Sequence, residues 1–185
     1  MEVHQQIFLF AIFLLFASIS FPGYNYINSK LFLKNNQLNP PPINEFFPNF
    51  TIVLPVRDES LVIKRKLKEI MNMEYPLSKI NILIIDSISK DSTSDIAREY
   101  LSKMMPPGQW RIENLYYPGK SLAVNHALDI IETDFFIMMD TESLIDKDAF
   151  SLLARWFVNP KIGAVCGQLS IIGTNDKDSY RSRFN

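Results

Sequence analysis

Two carboxylates one residue apart, in Asp140-Thr141-Glu142, follow the apolar run Phe135-Phe-Ile-Met-Met139. Extended backbone sends alternate side chains to one side, so Asp140 and Glu142 can face a common point and share one hard cation. Magnesium and manganese take oxygen ligands and are held by one or two carboxylates plus substrate phosphates, which suits an acidic pair facing a pyrophosphate. An acidic turn before a helix at Asp146 is the competing reading. Upstream, Gly119-Lys120-Ser121 puts a glycine at a strand-to-helix turn and a cation beside the free amides of a helix start, a combination that suits phosphate. It lacks the first glycine of the longer phosphate-cradling loop. Asn125, on the first turns of the same helix, reads as a ligand contact or as a surface polar residue. Asp86 ends the apolar run Ile80-Asn-Ile-Leu-Ile-Ile85, where it can accept hydrogen bonds from a base or ribose, or cap the Ser-Lys-Asp-Ser-Thr segment that follows. Asp91 reads as the cap of the next helix. A fourth polar junction is Pro55-Val-Arg-Asp-Glu59.

Residues of this kind need a frame that brings them together. From Phe50 onward, short apolar runs alternate with segments of helical period, the signature of strand-helix units around a mostly parallel sheet. Strands are expected over Phe50–Leu54, ended by Pro55, and over Ile80–Ile85, Trp110–Tyr116, Phe135–Met139 and Gly163–Leu169. Helices are expected over Ser60–Met71, capped by Ser60 with Leu61, Ile63, Leu67 and Ile70 on its apolar face, and over Thr93–Met104, Ser121–Ile131 and Lys147–Val158. In open sheets of this type ligands bind beyond the carboxyl ends of the strands. The four polar junctions all follow strands.

The first part of the chain has a different character. Ile7–Phe21 carries no charge and is apolar on every helical face, which suits lipid. The strictly apolar run is short for a spanning helix unless Pro22 to Ile27, with Tyr24 and Tyr26, are recruited at the interface. A cleaved signal peptide needs a basic leading region, and Met1–Gln6 has no Lys or Arg. The nearest cations, Lys30 and Lys34, follow the segment and place the downstream domain in the cytoplasm by the positive-inside rule. That placement makes the sequon Asn49-Phe50-Thr51 irrelevant to glycosylation. Residues 1–34 therefore read as a single membrane anchor with its flank, 35–48 as a proline-rich linker, and 49–185 as one α/β domain. A net charge of −1 with no long run of either sign argues against nucleic acid as a partner. Cys166, the only cysteine, sits in an apolar run and is expected to be buried.

In order along the chain, the four junctions resemble the motifs of the inverting family-2 glycosyltransferases, especially their membrane-anchored members. Thr51-Ile-Val-Leu-Pro55-Val-Arg-Asp58-Glu59 is similar to the opening strand with its proline and Asn-Glu pair, with Asp58 in place of asparagine. Asp86-Ser-Ile-Ser89-Lys-Asp91-Ser-Thr93 resembles an Asp-x-x-Ser-x-Asp-x-Thr block. Gly119-Lys120-Ser-Leu-Ala123-Val-Asn125-His-Ala127-Leu128 resembles the Gly-Lys-x-x-Ala-x-Asn-x-Ala-Leu helix, the most specific of these matches. Asp140-Thr-Glu142 stands where the family carries a metal-binding Asp-x-Asp.

The resemblance implies a GT-A, Rossmann-like sheet flanked by helices and preceded here by a membrane helix. It implies a donor-binding set of Pro55, Asp58, Glu59, Asp86, Lys120, Asn125 and Asp140. Within that set, Asp58, Glu59 and Asp86 would contact the nucleoside, usually uridine, and Lys120 would lie near the diphosphate. Asp140 and Glu142 would hold Mg or Mn, and the acceptor would be a lipid or a glycan. The family's general base, a downstream Asp, has no counterpart in this sequence and is expected beyond Asn185, so the domain reads as incomplete. Two other functions compete: a non-catalytic donor-binding module, and a nucleotidyltransferase on a similar sheet. The second expects a glycine-rich loop after the first strand, where Pro55-Val-Arg-Asp-Glu has none.

Overall fold

The computed structural model describes residues 2–35, 41–42 and 46–167. Most of the expected linker, the end of the expected last strand at Gln168 and Leu169, and the polar segment from Asp176 lie outside the described residues.

The first unit is one helix, α1 (Glu2–Asn35), whose apolar stretch Val3–Leu31 covers 29 residues. At about 1.5 Å per residue that is about 44 Å, long enough to cross a membrane. The short apolar run is thus extended through Pro22, as its flanking tyrosines suggested. Proline removes a backbone donor from the helix interior. Nearby polar side chains bond back to the helix, Ser18 Oγ to the Leu15 carbonyl at 2.7 Å and Asn25 Nδ2 to the Phe21 carbonyl at 2.9 Å. The Lys30 ammonium stands 5.3 Å from the centre of the Tyr26 ring, a pairing suited to a membrane boundary.

The second unit is built on four parallel strands in the order β3-β2-β1-β4. They are β1 (Phe50–Val56), β2 (Ile80–Asp86), β3 (Trp110–Asn114) and β4 (Phe135–Met138). Helices α2 (Ile63–Met71), α3 (Thr93–Met104), α4 (Lys120–Ile130) and α5 (Ala149–Ala154) complete it. Strands β1 and β2 are central and covered on both faces, as their near-continuous aliphatic runs require. On one face Phe50, Ile52, Leu54, Ile82 and Ile84 pack with Ile63, Leu67 and Ile70 of α2, Ala97 and Leu101 of α3, and Phe150 of α5. On the other, Val53, Leu83 and Ile85 pack against Ala123 and Ala127 of α4. The small alanines let α4 approach the sheet closely. The chain runs outward from β1 through β2 to β3, then returns to add β4 on the far side of β1. The order therefore reverses between β1 and β4, and a sheet of this kind opens its ligand crevice at that reversal.

Several expectations are corrected. Strand β1 continues through Pro55 to Val56. The Val53 carbonyl accepts from Met139 N–H, so by two-residue alternation Pro55 faces the same neighbour beyond its last paired residue, where its missing N–H costs nothing. Helix α2 starts at Ile63, and Ser60 does not cap it. The Glu59 carbonyl accepts from both Val62 and Ile63 in a tight turn, while Ser60 N–H is drawn to Asp91. Leu61 is accordingly 94% exposed. Helix α5 gives way to a 3₁₀ turn over Arg155–Val158. Among the described residues, 163–167 form no strand, and Cys166 is exposed. Without ladder partners the segment has no sheet face to bury, so apolar composition alone did not place the thiol inside.

Candidate functional site

All four polar junctions lie at the carboxyl end of the sheet. The loops after β1 and β2 are tied together by side chains bonding to backbone. Asp58 N–H donates to Ser89 Oγ at 3.0 Å, and Lys90 N–H donates to Asp58 Oδ1 at 2.7 Å. Glu59 N–H donates to Thr93 Oγ1 at 2.8 Å, and Ser60 N–H to Asp91 Oδ2 at 3.0 Å. The other Asp91 oxygen accepts from Thr93 N–H at 3.0 Å and from the Thr93 hydroxyl. Asp91 thus secures the start of α3, and these hydrogen bonds, the Thr93 hydroxyl first among them, lower its pKa to about 2. Asp86 is buried, its oxygens accepting from Ser89 N–H at 2.7 Å and from the Ser94 hydroxyl.

Two backbone positions in these loops are left-handed. Asp58 has φ 54°, a conformation that Asp and Asn tolerate best among residues with a Cβ. Asp58 and the asparagine expected there from the resemblance both fit such a turn. Ile88 has φ 61°, which a β-branched residue adopts only at a cost.

The loops after β3 and β4 are held differently. Ser87 Oγ accepts from Gly119 N–H at 2.8 Å, fixing the start of α4 to the β2 loop. Gly119 has φ 152° and ψ 129°, backbone that side-chain-bearing residues rarely adopt. Lys120 Nζ donates to Asp140 Oδ1 at 2.6 Å, with both side chains mostly exposed. Thr141 is buried while Asp140 and Glu142 are exposed, but residues 141–142 form a turn rather than the extended backbone expected, so locally the acidic-turn reading holds.

A cavity of about 300 Å³ occupies the β1/β4 reversal, lined by Pro55, Val56, Arg57, Glu59, Ser87, Gly119, Lys120, Asp140, Thr141 and Glu142. A second cavity, of about 400 Å³, lies among Phe47, Lys79, Glu132 and Asp134 at the amino ends of the strands, the wrong end of such a sheet for a ligand. A family model for glycosyl transferase family 2 matches residues 51–185. The chain belongs to that family.

Among its relatives, a probable glycosyltransferase of Bacillus subtilis is 28% identical over 146 residues, covering 74% of this chain and 33% of that protein. A β-monoglucosyldiacylglycerol synthase of Nostoc sp. is 27% identical over 133 residues, covering 72% and 28%. The chain thus spans about a third of the length of these curated relatives. A mannosyltransferase from Pyrobaculum calidifontis, solved with GDP-mannose and Mn²⁺, superposes with a TM-score of 0.67 at 24% identity over 83% of this chain and 44% of that one. That likeness is one of fold, and it agrees with the GT-A architecture expected from the motifs.

Of the residues marked out by the family-2 motifs, the structure brings Pro55, Glu59, Lys120, Asp140 and Glu142 onto one cavity. Asp58, Asp86 and Asn125 lie outside its lining; the first two are engaged in the loop lock, and Asn125 is exposed on α4. Ser87 and Arg57 line the cavity without having been singled out. Ser87 follows the apolar strand directly, which was the available signal. Among the described residues no three Asp, Glu, His or Cys side chains form a metal-holding group. Asp140 and Glu142 line the cavity together, and two carboxylates are a donor set that fits Mg or Mn completed by phosphate oxygens.

Proposed function

We propose that this chain forms the donor-binding part of an inverting enzyme that moves a sugar from a uridine-diphosphate sugar to a lipid or glycan acceptor. The observation that carries the proposal is the convergence of Lys120, Asp140 and Glu142 on one cavity at the sheet's switch point. In this reading Pro55, Asp58, Glu59 and Asp86 form the nucleoside side. Asp86 keeps acceptor capacity beyond its two hydrogen bonds, because a carboxylate offers about four lone-pair sites. Lys120, the Gly119 turn and the first amides of α4 meet the diphosphate, with Asn125 one turn further on.

Lys120 now pairs with Asp140, and a diphosphate gives the ammonium a stronger partner. Asp140, once freed, and Glu142 would then hold Mg or Mn. That ion, when bound, offsets the charge that develops on the departing nucleoside diphosphate. The proposal assigns the general base to no residue of this chain. The Nostoc relative, by its name a maker of a glycosylated diacylglycerol, supports a lipid acceptor.

Calorimetric titration of the full chain in detergent with UDP or GDP, each with and without Mn²⁺, tests the donor site. UDP binding tightened by Mn²⁺ is expected. No UDP binding in the presence of Mn²⁺ overturns the donor reading, and a preference for GDP overturns the choice of base. A product assay with radiolabelled UDP-sugar separates transfer from binding without turnover.

The proposal extends to placement: α1 anchors the chain in a membrane with the α/β domain on the cytoplasmic side, supported by Lys30 following the apolar span. Cys166, exposed and the only cysteine, serves as the reporter. A membrane-impermeant maleimide should label it only after cells are opened, and labelling of intact cells refutes the orientation.

A further inference from the structure

Lys66 is fully buried on α2, a costly position for an ammonium group. Its Nζ donates to Glu69 Oε2 at 2.8 Å, to the Ser143 carbonyl at 2.6 Å and, at 3.5 Å, to Ser143 Oγ. The other Glu69 oxygen accepts from Ile145 N–H at 2.6 Å. Ser143 Oγ in turn donates to the Asp140 carbonyl at 2.8 Å. One helical pair therefore grips the backbone immediately after the acidic residues from both of its charged ends. The helix carrying it is seated on the sheet by Ile63, Leu67 and Ile70.

Well-packed apolar residues of similar volume often serve stability as well as a buried ion pair does. Stability alone therefore gives little reason for this pair. We propose that Lys66 and Glu69 are positioning residues that fix the loop after β4, so that Asp140 and Glu142 present a preset pair of carboxylates to the cavity. The inference rests on the reading that these two carboxylates hold the divalent ion. Two flexible acidic side chains on an untethered loop would spend ordering entropy on every binding event, whereas a loop referenced to the sheet has that cost met at folding. Removal of partners that orient metal ligands typically weakens metal affinity about 10- to 100-fold.

The test uses the full chain in detergent and three readouts: UDP affinity with and without Mn²⁺, thermal midpoint, and amide hydrogen exchange around Ile145. The double variant Lys66→Met/Glu69→Leu replaces the pair by apolar groups, and Ser143→Ala removes the hydroxyl that links the Asp140 carbonyl to Lys66 while keeping the Ser143 carbonyl that Lys66 holds. The double variant should keep its melting temperature and its metal-free UDP affinity, lose about tenfold or more of the Mn²⁺-dependent tightening, and exchange the Ile145 amide faster. Ser143→Ala should show a smaller loss in the same direction, and it decides the matter if the double variant does not fold. Unchanged Mn²⁺ tightening in the folded variants overturns the positioning role, even if melting temperature falls. A wild-type chain whose UDP affinity ignores Mn²⁺ overturns the metal reading and the clamp's role with it.

Discussion

The two sides of the crevice use the same residue types in opposite ways. On the side of β1 and β2, Asp58, Asp86 and Asp91 spend their oxygens on backbone amides and hydroxyls, and the loops after the two strands are joined at three successive backbone amides, 58 to 60. On the side of β3 and β4, Asp140 and Glu142 are exposed, and the ion pair across that half, Lys120 to Asp140, is solvated on both partners. Asp58 and Asp91 are exposed and only Asp86 is buried, so it is the multiple hydrogen bonds to backbone that make the first side a wall. Exposed ion pairs contribute little to stability, so the second side can exchange partners cheaply when a charged ligand arrives. Carboxylates at one sheet edge thus divide into those tied to the protein, with Asp86 keeping spare acceptor capacity, and those left open on the cavity.

The largest expected effect lies on the open side. Asp140→Ala should reduce Mn²⁺-dependent UDP affinity by about 100-fold, the upper end of what disturbance of a metal's surroundings costs. Thermal stability should stay near that of the wild type, because only a solvated ion pair is lost. Calorimetry and a melting curve on the same preparation check both halves; a large drop in melting temperature would erase the division between wall and ligand side. Lys120→Gln should weaken UDP by about tenfold, the loss of one charge-assisted contact. It should also strengthen Mn²⁺ binding in the absence of nucleotide, since Asp140 loses its competing cation. Parallel weakening of both ligands would show that the pair does not exchange.

The sheet and its order of elements were legible because β1 and β2 are continuous aliphatic runs, a pattern read without knowledge of neighbours. The convergence of Lys120, Asp140 and Glu142 was legible for a related reason: Lys120 opens the helix after β3 and the two acids lie in the loop after β4, and strand ends of a parallel sheet share one edge. The interlocking of the first two loops was not legible, because Asp58–Ser89 and Ser60–Asp91 are contacts across 31 residues, and short polar residues give no sign of their partners. Lys66 left a trace that periodicity alone overlooks, a lysine at the i+3 position of the buried stripe Ile63, Leu67 and Ile70. A charge inside an apolar stripe points to a buried partner, yet nothing local names Ser143. Cys166 shows the converse failure, since an apolar run buries its residues only where another element covers them.

The remaining predictions probe the wall. Ile88 holds its left-handed backbone with a β-branched side chain that is 40% exposed. Ile88→Asn should stabilise the domain by about 1 kcal/mol, read from denaturant midpoints, because Asn enters that region readily. Destabilisation would mean that the Ile88 side chain contributes more by its contacts than its backbone costs.

The smallest effect concerns Asp91 and acid. Its folded pKa of about 2 lies below its ordinary value of 3.8, so the contribution of its charged form is complete above the unfolded value and fades as pH falls through the folded one. Asp91→Asn should therefore be less stable than wild type at neutral pH, because the amide nitrogen cannot accept while the remaining oxygen can serve only one side of the lock. The gap between the two proteins should narrow between pH 4 and pH 2. A difference in melting temperature that stays constant across that window would show that Asp91 acts through shape rather than charge, and the wall would then be held by its hydroxyl partners, Ser89 and Thr93, more than by its carboxylates.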